Sequence, residues 1–368
     1  MKRFVVASVI VCPAAALAVA LAAAPAAPAA PVPAASAAKG EAFASGDYRT
    51  VLPLGLQATS AYVPDGNPMS AKKIELGRML YFDKRLSADG SVACATCHEP
   101  SKGFSDGRST SAGIHGKTGA RNAPTVINRL FSADQFWDGR AADLEAQALG
   151  PVQNPIEMGN TLDGMIANVR GISAYAPYFQ GAFGTPEINP ERVSQAIATY
   201  ERTVVSGDAP YDRYQAGDKT ALSPAAQRGL ALFNDPKRGN CVTCHAGFNF
   251  TDESYHNLGI GMDKEKPDLG RYEITKVETD RGAFKTPTLR NLTETAPYMH
   301  DGSETTLEEV VDLYVKGGVP NQWLSKEMHP VALNTSEKTD MVAFLKSLTG
   351  KVGGADKPKT LPGGVVVP

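Results

Sequence analysis

The chain has 368 residues, 42% of them hydrophobic and 21% charged, with a formal net charge of −2. That composition is ordinary for a soluble globular protein and long enough for two domains of ~100–200 residues each. The near-neutral balance, with no basic cluster along the chain, excludes the electrostatic footprint of a nucleic-acid binder.

Lys2 and Arg3 precede an apolar run from Phe4 to about Ala24, and small residues follow at Ala35-Ser36-Ala37. This pattern reads as a signal peptide with an Ala/Pro-rich linker over residues 1–46, cut near residues 24–38, and so as export to the periplasm. The alternative is an uncleaved anchor, since the run is almost long enough to span a bilayer; Pro13 and the many alanines weaken it. Ser70 then caps a helix predicted through Phe82, with Ile74, Leu76, Met79 and Leu80 as its apolar positions. Residues 102–122 are rich in Gly, Ser, Thr and Lys and read as a surface loop, followed by a short helical piece around Leu144–Leu149.

Asn189-Pro190 is an N-cap with proline at the first helical position, and Val193, Ile197, Tyr200 and Val204 recur at helical spacing after it. Residues 206–221 read as a polar, turn-rich connection, and Ser223-Pro224 opens the next helix. Thr305 to Glu308 forms a capping box for a helix with Leu307, Val310, Val311 and Tyr314 on one face, ended by Gly317-Gly318. A last helix is predicted from Ser336, and residues 351–368 read as a flexible tail. No stretch shows strand alternation, so the fold class is mainly α with long loops. The organisation predicted is a domain over 47–210 and a second over 211–350.

The chemistry starts from a repeated device, Cys94-Ala95-Thr96-Cys97-His98 and Cys241-Val242-Thr243-Cys244-His245. C-x-x-C-H is the attachment signature of haem c: two thiols bond the vinyl groups and the histidine ligates iron. A zinc half-site or a redox dithiol needs only the C-x-x-C, so the trailing histidine in both copies favours haem. Of five cysteines, four lie in these motifs and the fifth, Cys12, lies in the leader, so no disulfide framework remains. Each motif follows a predicted helix and a short loop, a weak internal duplication.

The sixth iron position decides function: a second protein ligand gives an electron-transfer haem, and an open position admits peroxide or oxygen. Spacing does not choose among Met262, Met299, Met328, Tyr314 and the four remaining histidines, His115, His256, His300 and His329. Trp137 lies between the motifs in sequence, placed to relay charge or simply to fill a core. Glu157, in Asn-Pro-Ile-Glu-Met, suits proton transfer if buried and is an ordinary turn residue if exposed.

The two motifs stand in a longer series. Arg-Asn-Ala-Pro-Thr (121–125), Gln-Phe-Trp-Asp-Gly-Arg (135–140) and Asn-Pro-Ile-Glu-Met (154–158) separate them, and Lys-Thr-Pro-Thr-Leu-Arg-Asn (285–291) and Ala-Pro-Tyr-Met-His-Asp-Gly (296–302) follow. In this order the blocks resemble the bacterial di-haem cytochrome c peroxidase and MauG family, from about Pro68 to Thr349. The resemblance implies two cytochrome-c-like domains, each with one covalent haem c, and a calcium ion at their interface. It implies a peroxidatic haem on His98 and an electron-transfer haem on His245, with Trp137 between them. Glu157 matches the acidic residue over the open iron, and Gln147 and Pro151 match its pocket neighbours. Asn122, Thr295 and Pro297 match calcium ligands, an oxygen-only set suited to a hard cation.

Tyr314 stands where ordinary family peroxidases place methionine, which resembles MauG with its histidine–tyrosine haem. His115 sits in the loop where peroxidases that need reductive activation keep a removable iron ligand, so the chain mixes features of both branches. The resemblance implies an enzyme that reduces hydrogen peroxide with electrons from a small periplasmic c-type cytochrome or cupredoxin. A MauG-like enzyme that oxidises Trp or Tyr of a partner protein is the alternative, and a plain di-haem carrier would have no use for Glu157. A homodimer is left open.

Overall fold

The computed structural model describes residues 40–367, so the signal-peptide reading falls largely outside the described residues. The described part opens earlier than expected: strand β1 (Ala42–Ser45), inside the supposed linker, pairs antiparallel with β2 (Tyr48–Val51). Helix α1 (Ala71–Tyr81) starts where the sequence indicates, because the Ser70 hydroxyl accepts the backbone N–H of Lys73. The first motif is a single turn, α2 (Cys94–Cys97). Next come α3 (Leu144–Gln153), longer than predicted, and two helices the sequence reading did not identify, α4 (Leu162–Arg170) and α5 (Ala176–Phe183).

Helix α6 (Pro190–Glu201) is capped by Asn189 as expected. The connection at 206–221 is not merely turns: it holds α7 (Pro210–Gln215), whose Asp212 is buried against Arg290. Helices α8 (Pro224–Asn234), α9 (Tyr272–Thr275), α10 (Leu307–Lys316) and α11 (Thr335–Lys346) complete the set. The cap of α10 is Thr306 with Glu309 rather than Thr305 with Glu308, and α11 is capped by Asn334, two residues before the predicted start. Both shifts place a side-chain oxygen on the N3 amide. The fold is helix-rich as expected, and besides β1–β2 the described strands are two-residue pairs.

Two helix pairs organise the packing, α1 on α6 and α8 on α11. Each crosses at a glycine. A Cβ on Gly77 would lie 1.8 Å from the Ala196 carbonyl oxygen, and one on Gly229 would lie 2.0 Å from the Asp340 carbonyl oxygen. The α1–α6 pair anchors a core that includes Leu76, Leu80, Tyr81, Phe104, Val193 and Tyr200. The α8–α11 pair anchors another with Phe233, Phe250, Val311, Met341 and Phe344.

The tail is a correction. Lys351–Val352 pairs with Ser206–Gly207, the Tyr200 hydroxyl donates to the Gly354 carbonyl, and Arg85 donates to the Pro362 carbonyl. Leu361 is 5% exposed and belongs to the core around α1 and α6. Residues 351–367 form a strap across the half of the molecule furthest from them in sequence, because Leu361 gains burial there that a free tail would forgo.

Candidate functional site

Both motifs close a tight turn in which the histidine amide donates to the carbonyl of the first cysteine, 2.9 Å for His98 to Cys94 and 2.9 Å for His245 to Cys241. In each, ring Nδ1 lies 3.1 Å from a phenylalanine carbonyl, Phe104 for His98 and Phe250 for His245. Those phenylalanines hold positive φ, 59° and 54°, which turns the carbonyl back onto the ring. An Nδ1–H spent on a backbone carbonyl fixes the tautomer and leaves Nε2 as the metal-ligating nitrogen. Burial pushes both imidazole pKa values down, so both rings are neutral, as a ligand must be.

The four motif cysteines are unpaired. Burial raises all four thiols, Cys97 and Cys244 to about 11 and Cys241 to about 12. Half-buried thiols held protonated in this way are poor dithiol catalysts. Asp252 and His256 gather beside Cys244 with ligand atoms within 4.8 Å of one another. His256 Nε2 is already 2.8 Å from Asp252, and this trio lacks the fourth ligand that a structural zinc takes.

Around the second motif lies a deep, mainly apolar cavity lined by Cys241, Cys244 and His245 and, from α10, by Val310 and Tyr314. Burial, then the neighbouring Cys241 and Cys244, raise the Tyr314 phenol, so it keeps its proton unless a metal displaces it. His256, His300, His329, Met299 and Met328 also line this cavity, whereas Met262 does not. His300 stacks on Phe284 with ring centroids 3.6 Å apart, and burial pushes its pKa down to about 4.

The same cavity is lined by Trp137, Asn122, Thr295 and Pro297, residues from distant blocks. The Trp137 indole N–H donates to the Asn122 carbonyl at 2.9 Å. The Asn122 side-chain nitrogen donates to the Arg108 carbonyl at 2.7 Å, which leaves the amide oxygen as its ligating end. An amide oxygen together with backbone carbonyls at 295 and 297, all lining this cavity, is a donor set whose chemistry suits calcium.

At the first motif, Glu157 follows the C-terminus of α3 and is half-buried, within electrostatic reach of Cys97. Burial raises its carboxyl, opposed by Arg140 and by the Asn154 amide, which donates to Oε1 at 2.8 Å. Gln147 and Pro151, also half-buried, lie four residues apart on α3 and so share one face. His115 lies on the adjoining loop, where the Ile114 amide donates to the Glu157 carbonyl at 2.8 Å; its side chain is 64% exposed, with Nδ1 3.5 Å from the Asp89 carboxylate. Arg140, whose guanidinium stacks 3.5 Å over Phe136, is a site residue that the sequence reading quoted but gave no role.

A register relates the two halves. Residues 124–151 and 287–314 superpose in kind with a constant offset of 163, as in 287 − 124, 299 − 136 and 314 − 151. Thr125 and Thr288 hydroxyls each donate to a backbone carbonyl behind the histidine turn, at 2.6 and 2.7 Å. Asn128 and Asn291 hold φ of 62° and 58°, Phe136 and Met299 69° and 70°, and Gly139 and Gly302 65° and 64°. Asp143 and Thr306 cap α3 and α10. Counting on from those caps, Pro151 occupies the step that Tyr314 occupies in the other half. Proline there has no side-chain group with which to ligate a metal.

The profile of the di-haem cytochrome c peroxidase family matches residues 71–220. The methylamine utilization protein MauG of Methylophilus methylotrophus is 42% identical over 78% of this chain and 85% of its own length. The cytochrome c551 peroxidase of Nitrosomonas europaea is 40% identical over 77% of this chain and 81% of its own. A crystal structure of a MauG-like protein associated with microbial copper homeostasis aligns with a TM-score of 0.73 at 33% identity, over 81% of this chain and 95% of that one.

Proposed function

The chain belongs to the di-haem cytochrome c peroxidase family, oxidoreductases that act on peroxide, and from that premise we propose a periplasmic enzyme with divided sites. Cys94, Cys97 and His98 would hold the haem that supplies an open iron for hydrogen peroxide, and Cys241, Cys244, His245 and Tyr314 the haem that supplies a closed redox centre. Peroxide is reduced to water with electrons from a small c-type cytochrome or cupredoxin. The observation that supports this reading is the Pro151–Tyr314 correspondence: the same helix step carries a phenol that lines the cavity with His245 in one half and a proline in the other.

The chain's own residues then have definite tasks. Glu157, its carboxyl raised by burial, takes the proton from the near oxygen of peroxide and returns it to the leaving one. Asn154 holds the carboxylate through Oε1, and Arg140 limits how far its pKa rises. Gln147 and Pro151 wall the pocket. Trp137, tied to Asn122, ties the region between the sites to the oxygens that would bind calcium. Among the described residues no helix is long and apolar enough to cross a membrane.

Tyr314→Phe tests the division of labour. The ferric low-spin absorption spectrum is expected to change while the first site still binds peroxide; an unaltered spectrum removes Tyr314 as a ligand. A second reading, oxidation of Trp or Tyr in a partner protein, is favoured by the tyrosine at 314. Steady-state peroxide turnover with a reduced cytochrome separates the two: fast turnover supports the peroxidase, and a slow, long-lived oxidised state supports protein oxidation.

A further inference from the structure

The aromatic packing behind the two histidine turns is the same in shape and different in chemistry. Behind the first turn, Tyr81 and Tyr200 meet edge to face with ring centroids 5.0 Å apart at 64°, and Phe104 lies 6.4 Å from Tyr81. Behind the second, Phe233 and Phe344 meet with centroids 5.0 Å apart at 61°, and Phe250 lies 6.1 Å from Phe233. These pairs occupy matching places at the two glycine crossings, where Tyr200 and Phe344 lie beside Gly77 and Gly229. Phenylalanine therefore serves the packing fully, and the hydroxyls at 81 and 200 are an addition.

The hydroxyls are placed in a particular way. Tyr81 donates to the carbonyl of His98 at 2.9 Å, so a phenol lies against the backbone of the first histidine. Tyr200 donates at 3.0 Å to the carbonyl of Gly354, an exposed residue of the strap. Both rings are themselves buried, at 0% and 1% exposure. The pair thus runs from the first histidine to the underside of the surface. In the other half the neighbouring phenol, Tyr211, packs on Phe250 and Phe344 instead.

We propose that Tyr81 and Tyr200 form an oxidisable pair that drains the oxidising equivalents of hydrogen peroxide when no external donor is present. The proposal rests on the reading of the His98 site as the one that reacts with peroxide. Each phenol gives up one electron from its ring and its O–H proton, becoming a neutral phenoxyl radical. Hydrogen peroxide accepts two electrons and two protons as its O–O bond breaks, yielding two waters, so two phenols balance one peroxide. The pair protects the first site from its own oxidant and carries the damage to the strap, where small reductants reach it.

The test uses the holoenzyme, mixed with one equivalent of hydrogen peroxide without donor and frozen, with peroxide consumption measured in parallel. Electron paramagnetic resonance is expected to show an organic radical whose line shape narrows when the protein carries ring-deuterated tyrosine. The signal is expected to be lost in Tyr81→Phe/Tyr200→Phe and kept in Tyr211→Phe. Both substitutions are expected to fold, since Phe233 and Phe344 fill the same places, and the absorption of both haems checks this. Peroxide consumed with no tyrosyl signal, or a signal that survives the double substitution, overturns the proposal. Tyr81→Phe that slows donor-driven turnover yet keeps the signal also overturns it, by assigning the hydroxyl to holding the His98 backbone. No peroxide consumption at all sinks the functional reading, and this proposal with it.

Discussion

Pro151 and Tyr314 sit at the same step of the same turn-and-helix unit, 163 residues apart (314 − 151), and they divide the molecule more sharply than its two motifs do. Much that positions the histidines is held in common: the turn, the phenylalanine carbonyl on Nδ1, the threonine brace and the left-handed asparagine. What differs is the helix step itself and the aromatic packing behind the turn. One half has proline at that step and two phenols with a phenylalanine behind; the other has Tyr314 and three phenylalanines. A duplicated scaffold changes chemistry cheaply when the changes fall on side chains that the scaffold does not use for its own geometry.

The largest test of this contrast is Glu157→Gln. Loss of a positioned acid–base group is expected to slow peroxide cleavage by ~10²–10⁴-fold while the second haem's spectrum stays unchanged. Because burial raises the Glu157 pKa, its carboxylate is lost as pH falls through a value above the ordinary carboxylate range. The wild-type rate falls with it, and the variant lacks that limb of the profile.

Next is a position where the halves disagree in the core. Arg290, 1% exposed and paired with Asp212 at 2.8 Å, stands at the step where the first half has the apolar Ile127. Asp212→Ala strands a buried guanidinium and is expected to cost ~3–5 kcal/mol in chemical denaturation. Ile127→Val is expected to cost only ~0.5–1.5 kcal/mol. Equal losses would erase the distinction.

Gly77→Ala and Gly229→Ala probe what the halves share. Each forces a Cβ into a facing carbonyl and is expected to cost ~1–3 kcal/mol by overpacking. Denaturation midpoints that shift alike sharpen the symmetry, and a shift in only one breaks it. The smallest effect belongs to His115→Gly: stability within ~0.5 kcal/mol of wild type and an unchanged ferric spectrum of the first haem, as for an exposed side chain.

Much of this was legible in the sequence wherever a local signal decides the structure. Ser70, Asn189-Pro190 and Ser223-Pro224 each start a helix as a capping oxygen requires, the last two with a proline of fixed φ at the first position. At α10 the run Thr305-Thr306 with Glu308-Glu309 offers two capping registers, and the fold takes the second, where Thr306 meets the Glu309 amide. Helix α4 went unread although Met165, Ile166 and Val169 carry its periodicity, because Gly164 interrupts its first turn. The strap was unreadable for a different reason: its Gly, Pro and Lys are loop residues, and residues distant in sequence, among them Arg85, Tyr200, Val205 and Ser206, hold it down. In the site, the motifs named both histidines, but the equivalence of Pro151 and Tyr314 needed matching backbone angles to see.

The strap also fixes an order of events. Leu361 completes the core built on α1 and α6, and Lys351–Val352 supplies the partner strand for Ser206–Gly207. The half made first is therefore the half finished last, since part of its interior arrives near the end of the chain. Until then the core against which Cys94 packs is incomplete. The apolar core of the Cys241–His245 half, by contrast, draws on no residue later than Leu348.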